Sequence, residues 1–415
     1  MRILFISNYF PPYFIGGYEL RCKDVAEELK HRGHSVFVLT SRWGKNRKSP
    51  DSEVGRLLWL SNLKLSRLGI LRQLVKEWLN QRALKQIIRE FRPDRIFVWN
   101  LGNIGKSLLA AAQQSRVPVF YYIEDSWIYK EIKGDFWFSY SQEGLQRFKG
   151  FKHFFIQWIG RILPLGLQKI DPKTVMFVSQ FMKKEALEAD LPVEDSPVVY
   201  PGIPGKDFSP VEVKQNSAGK PRLLYVGQIN QLKGIFTLLK AFDILVERGF
   251  HNLELSLVGG VDERDANRFR ESLQKSSRQN RIKWMGQFPR DQMNSIYQSH
   301  DILVFPSERG EGVPLTLAEA MSCGMAIVST SCGGSAEILR DGDNAFVFAA
   351  GNAVDCADKI QQLLTDHFLQ EKLSKNAIAY TKEHFDLRSM GEAIEEVLLQ
   401  KHSPAYTTLV REQLV

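Results

Sequence analysis

The feature that most constrains this chain is an alternation that runs twice. Short apolar runs alternate with longer stretches of helical periodicity, first over residues 2 to about 200 and again from about 221 to 350. "RILFIS" opens the first series as a continuous apolar run, the pattern of a parallel strand covered on both faces. The turn-rich loop "NYFPPYFIGGYE" follows. "LRCKDVAEELKHRG" then sets Leu20, Val25 and Leu29 on one helical face and halts at Gly33, and "HSVFVLTS" is the next strand. A helical face over residues 71–91 (Leu71, Leu74, Val75, Trp78, Leu84, Ile87, Ile88, Phe91) continues the rhythm. After it come strand "PDRIFVWN", helix "IGKSLLAAAQQS", strands "VPVFYYIED" and "TVMFVSQ", and a last expected strand, "SPVVYPG".

Residues 202–220 lose all periodicity and are rich in Gly, Pro, Ser and charge, the signature of an interdomain linker. The pattern then restarts with "PRLLYVGQ" and proceeds through "GIFTLLKAFDILVERG", "LELSLVGG", "ANRFRESLQKSS", "IKWMGQ", "RDQMNSIYQSH", "DILVFPS", "MAIVSTS" and "AFVFAA". A chain of 415 residues is too long for one ordinary core. The expected fold is therefore α/β: two doubly wound, Rossmann-like parallel-sheet domains facing each other across a cleft. The boundaries read as 1–203, a linker at 204–220, 221–387, and a tail at 403–415. Ligands of such sheets bind beyond the carboxyl ends of the strands, and the unusual sequences of this chain fall in those loops.

The formal net charge is +8, which suits an anionic substrate, a membrane surface or nucleic acid alike. Nothing resembles a base-stacking motif or a recognition helix, so no nucleic-acid partner is expected. The four cysteines, Cys22, Cys323, Cys332 and Cys356, form no C-x-x-C pair and no metal-ligand spacing, and fit reduced thiols. Neither a signal peptide nor a transmembrane run is expected.

Four loops carry candidate chemistry. In "PSERGEGVPLTLAEAMSCG" a helix starts near Pro314 and ends at Gly324, with Glu311 before it and Glu319 more than one turn inside. Free N–H groups near Leu315 and Thr316 form an anion-binding end, and Gly312 and Val313 lead into it. A phosphate held there would have a carboxylate on each side, one for a sugar face and one for ribose hydroxyls. Acidic residues also stabilise a helix start without any ligand. In "YVGQINQLKGI" a strand ends at Gly227, Gln228 follows, and Lys233 stands where it can reach a diphosphate; a solvated lysine is the plainer alternative. Gly333 and Gly334 in "STSCGGSAEILRDGDNAF" allow close backbone approach before a helix whose first turn holds Glu337. Gly16 and Gly17 offer the same from the facing domain. The absence of G-x-G-x-x-G and of a P-loop pattern disfavours a dinucleotide cofactor and a P-loop nucleotidase.

Together these loops resemble glycosyltransferase family 4, the group 1 retaining enzymes of the GT-B fold that use nucleotide sugars. The family's Glu-x7-Glu motif is Glu311 to Glu319, followed by "AMSCG"; its G-R-L-x-x-x-K-G is "GQINQLKG", with Gln228 in the arginine position and Lys233 kept. Its G-G-x-x-E is Gly333, Gly334 and Glu337. The N-terminal pattern matches Gly16, Gly17, Glu19, Leu29, Arg32, Gly33, His34 and Val36. The resemblance implies that Glu311 contacts the donor sugar, Glu319 the ribose, and Lys233 the diphosphate. Where many members carry His-Asp after a strand, this chain carries Glu124–Asp125, two further candidates for the catalytic site. His34 reads as structural.

The resemblance further implies a retaining transfer from a nucleoside-diphosphate sugar, UDP- or GDP-linked, to an acceptor hydroxyl, with no permanent cofactor and no metal required. It gives the first domain the glycan or lipid-linked acceptor and the second the nucleotide sugar, with a helix at about 388–402 crossing back onto the first. Cell-envelope polysaccharide, lipopolysaccharide or glycolipid synthesis in the cytoplasm is the expected setting. A non-catalytic nucleotide-sugar-binding protein is the main alternative, supported by Gln228 and Glu124, and a nucleotide-sugar 2-epimerase a weaker one. Residues 144–169 mix Phe148, Phe151, Phe154, Phe155 and Trp158 with Arg147, Lys149, Lys152 and Arg161. That composition suits peripheral contact with an anionic membrane surface, or an aromatic face packed inside the domain.

Overall fold

The structure, a computed structural model, describes residues 1–44, 52–61, 67–129, 171–205, 207–210, 220–274 and 280–400. The basic-aromatic segment 144–169, most of the linker and the tail lie outside the described residues.

The first sheet is built from β1 (Arg2–Ser7), β2 (Ser35–Ser41), β3 (Val54–Leu58), β4 (Arg95–Asn100), β5 (Val119–Ile123) and β6 (Val175–Phe177), in the order β3-β2-β1-β4-β5-β6. The second holds β7 (Arg222–Val226), β8 (Glu254–Val258), β9 (Ile282–Gly286), β10 (Ile302–Phe305), β11 (Ala326–Ser329) and β12 (Phe346–Val347), in the order β12-β11-β10-β7-β8-β9. Every strand pairing is parallel. The strand order reverses between β1 and β4 in one sheet and between β7 and β10 in the other. Those two points open the crevices in which such sheets bind ligands.

The central strands read as unbroken apolar runs because both their faces are covered: all four residues of β10 are buried. One cluster of buried side chains joins the first sheet (Phe5, Phe97, Tyr122) to one face of the second (Leu224, Leu303, Ile327). The opposite face of the second sheet (Leu223, Tyr225, Val304) packs with Phe242 and Ile360 from its covering helices.

Helix α1 (Gly17–His31) follows β1, and α2 (Arg67–Phe91) and α3 (Ser107–Gln113) flank β4. After β6 comes α4 (Gln180–Leu187). The second domain adds α5 (Ile235–Glu247), α6 (Ala266–Leu273), α7 (Arg290–Gln298), α8 (Leu315–Ser322), α9 (Ser335–Ile338), α10 (Ala353–Thr365) and α11 (His367–His384). The chain then returns to the first domain as α12 (Leu387–Leu399). Asp386 caps this helix by accepting from Ser389 N at 2.9 Å. Glu395 of α12 takes Arg32 at 2.6 Å and His34 Nε2 at 2.8 Å, so His34 acts as a structural residue at the entry to β2.

One sequence expectation needs correction, and one strand was not expected. "SPVVYPG" is not a strand: it makes a single bridge, Val198 to Phe177. Prolines at 197 and 201 lack the N–H donors that a longer ladder needs. In the other direction, β3 was not legible, because Gly55 and Arg56 interrupt its apolar alternation.

Gly202 sits where the returning helix crosses. A Cβ there would stand 2.4 Å from Leu387 Cα. Gly202→Ala should therefore cost roughly 1–3 kcal/mol by overpacking. It would be read as a lower thermal midpoint, with hydrogen exchange loosened first in α12.

Candidate active site

The second sheet delivers three loops to one place. Beyond β7, Asn230 accepts from Lys233 N at 2.9 Å and closes a short 3-10 turn. Gly234 follows in the left-handed region, φ +71, with Pro306 O only 1.8 Å from where a Cβ would lie. A larger residue could not pass there, and the turn aims Lys233 across the crevice to the loop beyond β10. There Lys233 Nζ meets Glu311 Oε2 at 2.5 Å. Glu311 is bridged through its backbone to Gly333 in the loop after β11, with Gly334 N donating to Glu311 O at 2.7 Å. Lys233, Glu311, Gly333 and Gly334, far apart in sequence, thus form one surface. Gln228 does not supply the missing cation: its side-chain oxygen accepts from Asn230 Nδ2 at 3.2 Å, and its carbonyl from the Tyr225 hydroxyl at 2.7 Å.

Helix α8 begins beside this surface, with Pro314 extended at its N-cap. Gly312 and Val313 lead into it, and the N–H groups of Leu315 and Thr316 lie in its open first turn. Glu319 is buried on the same helix. Its Oε2 accepts from the Tyr297 hydroxyl at 2.9 Å, and Arg290 lies 3.4 Å from its Oε1. Burial pushes the Glu319 carboxyl up to about 7, against the pull of Arg290.

The first domain closes over this helix start. A Cβ on Gly17 would lie 3.0 Å from Leu315 Cβ, so glycine there lets the two domains touch. Gly16 N donates to Glu19 Oε2 at 2.9 Å, which makes Glu19 a cap for α1; burial raises its carboxyl to about 7. Glu124 is largely buried, its side chain 7% exposed, and pairs with Arg21 at 2.5 Å; Arg21 also donates to Val313 O at 3.2 Å. Burial pushes Glu124 up to about 8, with Arg21 opposing. Asp125 accepts from Asn100 Nδ2 at 2.9 Å and from Trp127 N at 3.0 Å. The Glu124–Asp125 pair is thus tied into the first domain and, through Arg21, to the α8 loop.

Several residues of this arrangement escaped the sequence reading. Arg21 and Asp24 bind across the cleft, and their signal was present: two charges three residues apart on a helix that also buries Cys22, Val25 and Leu29. Arg290 and Tyr297, which surround Glu319, carried no motif. Glu337 accepts from Gln180 N and Phe181 N, at 2.9 and 2.7 Å, and from the Tyr200 hydroxyl at 2.7 Å, so it caps α4 of the first domain. Among the described residues, no group of three or more His, Cys, Asp or Glu side chains is placed to hold a metal ion.

The family model for glycosyl transferases group 1 matches residues 210–380, and that for glycosyltransferase family 4 matches residues 15–205. An uncharacterized glycosyltransferase of Methanocaldococcus jannaschii, MJ1069, is 25% identical over 249 residues. That match covers 59% of this chain and 62% of that protein, less than two thirds of its length. The capsular polysaccharide biosynthesis glycosyltransferase CapM of Staphylococcus aureus is 22% identical over 399 residues, covering 93% of each chain. The solved structure of Anabaena Alr3699/HepE in complex with UDP-glucose has a TM-score of 0.69 at 19% identity. It covers 96% of this chain and 99% of that one, a likeness of fold.

Glu19, Glu124 and Glu319 share a consequence. Each holds its proton to about 7 or 8 in the folded state, against 4.5 for an ordinary carboxyl. The folded protein therefore binds protons that the unfolded chain has released. Their contribution to stability is full below 4.5 and is lost as the pH rises through 7 to 8. The thermal midpoint should fall as the pH is raised across that range, and Glu19→Gln should flatten part of the slope.

Proposed function

The chain belongs to the group 1, family 4 glycosyltransferases, and on that footing we propose that it moves a sugar, with retention, from a nucleoside-diphosphate sugar to an acceptor hydroxyl. The observation that carries this reading is the meeting of Lys233 and Glu311 at the switch point of the second sheet, beside the start of α8. The two side chains are 29% and 32% exposed, and an ion pair that open to water is cheap to exchange. A donor entering the crevice would take Lys233 onto its diphosphate and Glu311 onto a sugar hydroxyl. The N–H groups at the start of α8 would add a second anion contact.

The bond between the anomeric carbon and the diphosphate oxygen breaks, and its electron pair leaves with the diphosphate. The acceptor oxygen bonds to the same face of that carbon, and its proton passes to a diphosphate oxygen. The protein's task is to stabilise the departing negative charge, which Lys233 and the helix start are placed to do. Glu319 takes the ribose. Glu124 and Asp125, bound to Arg21 and Asn100, shape the facing wall. No step of this scheme calls for a metal.

A UDP-sugar is the first donor to test, because the Anabaena protein of the same fold was solved with UDP-glucose. The name of CapM supports an acceptor in envelope polysaccharide synthesis. Cys22, Cys323, Cys332 and Cys356 form no disulfide with one another, in keeping with a reducing cytoplasm. Among the described residues, no helix is long and apolar enough to cross a membrane. The peripheral membrane contact proposed for residues 144–169 falls on residues outside those described.

A panel of UDP- and GDP-sugars, assayed for binding and for release of the nucleotide, tests the reading. Lys233→Ala should cost on the order of 2–4 kcal/mol in the barrier, about 30- to 1,000-fold in turnover. Glu311→Ala should lose turnover as well. Wild-type rates in Lys233→Ala would remove its role, and binding without turnover by the native protein would favour a non-catalytic nucleotide-sugar-binding protein.

A further inference from the structure

Glu319 is in an unusual position for a ligand-binding carboxylate. Its Oε2 is taken by Tyr297, whereas its Oε1 is buried and makes no hydrogen bond. The nearest cation, Arg290, stands 3.4 Å away, in ionic contact but without hydrogen-bond alignment, and its Nε and the same terminal nitrogen are also without a hydrogen bond. A buried arginine this close to a buried carboxylate would ordinarily close on it in a two-bond fork. It does not; its other terminal nitrogen is held instead by Asp24 of α1 at 2.5 Å. Asp24 belongs to the first domain, and Arg290 and Glu319 to the second. The three side chains are 8%, 15% and 6% exposed, so none can turn to water instead. The ring of Phe208 beneath the guanidinium, 5.5 Å from its carbon, limits where Arg290 can swing.

We infer that Asp24 and Arg290 are positioning residues for nucleotide binding: Asp24, reaching across from the first domain, holds Arg290 off Glu319 and so leaves the buried Oε1 an unpaired acceptor for a ribose hydroxyl. The inference rests on the reading of Glu319 as the ribose ligand. Its physical basis is a competition of two carboxylates for one cation. With Asp24 in place, Arg290 supplies Glu319 with positive potential without occupying its free oxygen. Without Asp24, Arg290 has one neighbouring carboxylate left and closes on it, and the ribose acceptor is covered.

The test is calorimetric binding of UDP, GDP and ADP, each against its 2′,3′-dideoxy counterpart, to the full chain. Wild type and the variants Asp24→Asn, Asp24→Glu and Glu319→Gln are compared. For the nucleotide that binds, the wild type should prefer the ribose form by about tenfold or more, as expected for hydrogen bonds to a charged acceptor. Asp24→Asn should bind the ribose form more weakly and the dideoxy form almost as before, bringing the preference to within about twofold. Asp24→Glu should restore it. Glu319→Gln should abolish it.

If Asp24→Asn keeps the full preference while Glu319→Gln loses it, the ribose reading stands and the clasp is overturned. Equal weakening of both nucleotide forms in Asp24→Asn would make Asp24 a structural residue only, and would also overturn it. No ribose preference in the wild type, or no binding of any of the three, would overturn the assignment of Glu319 and the clasp with it.

Discussion

Charges buried between the two domains must be paired, and much of the arrangement around the crevice follows from that requirement. Arg21, Asp24, Glu124, Arg290 and Glu319 all lie where water does not reach them freely. Leaving Arg21 or Arg290 without its carboxylate partner would cost about 3–5 kcal/mol. Two of these contacts cross the cleft: Arg21 to the Val313 carbonyl, and Asp24 to Arg290. A third crossing is polar rather than ionic, Glu337 on the first N–H groups of α4. The position of the first domain over α8 is thereby fixed by directional contacts as well as by the apolar cluster that spans both sheets.

That constraint divides the acidic residues into two kinds. Glu311 faces the crevice and shares a partly exposed lysine, so its partner can be exchanged for a ligand at little cost. Glu124 and Asp125 are engaged within the first domain and brace the wall opposite. Glu319 lies between these cases: it is as buried as Glu124, but one of its oxygens makes no hydrogen bond. The crevice thus has a partly exposed ion pair at its mouth and a set of buried acids behind it.

Most of the fold was legible in the sequence because burial on both faces gives an unbroken apolar strand and burial on one face gives a helical stripe. The expected strands before the linker appear as β1, β2, β4, β5 and β6, and "SPVVYPG" fails where its prolines remove ladder donors. β3 was hidden by Arg56, which turns its guanidinium to the carbonyls of Phe10 and Pro11. The helices over 353–365 and 367–384 lie beyond the last apolar run, where no strand follows to set the alternation. Within the site, the spacing of Glu311 and Glu319 and the place of Lys233 were legible, because each follows a strand end by a fixed few residues.

What the sequence determined by itself is the pair of α/β domains and the loops beyond their strand ends, because strand and helix periodicity and turn chemistry are local properties of the chain. Which charges meet was decided by the tertiary structure alone. Arg21 and Glu124 are 103 residues apart, Asp24 and Arg290 are 266, and Arg32 and Glu395 are 363. Charge pairing at such separations leaves no periodic trace, since a carboxylate in sequence looks the same whether it will face water, a ligand or a buried arginine. Only the closing of one sheet over the other distinguishes them, by removing water from some and leaving it to others.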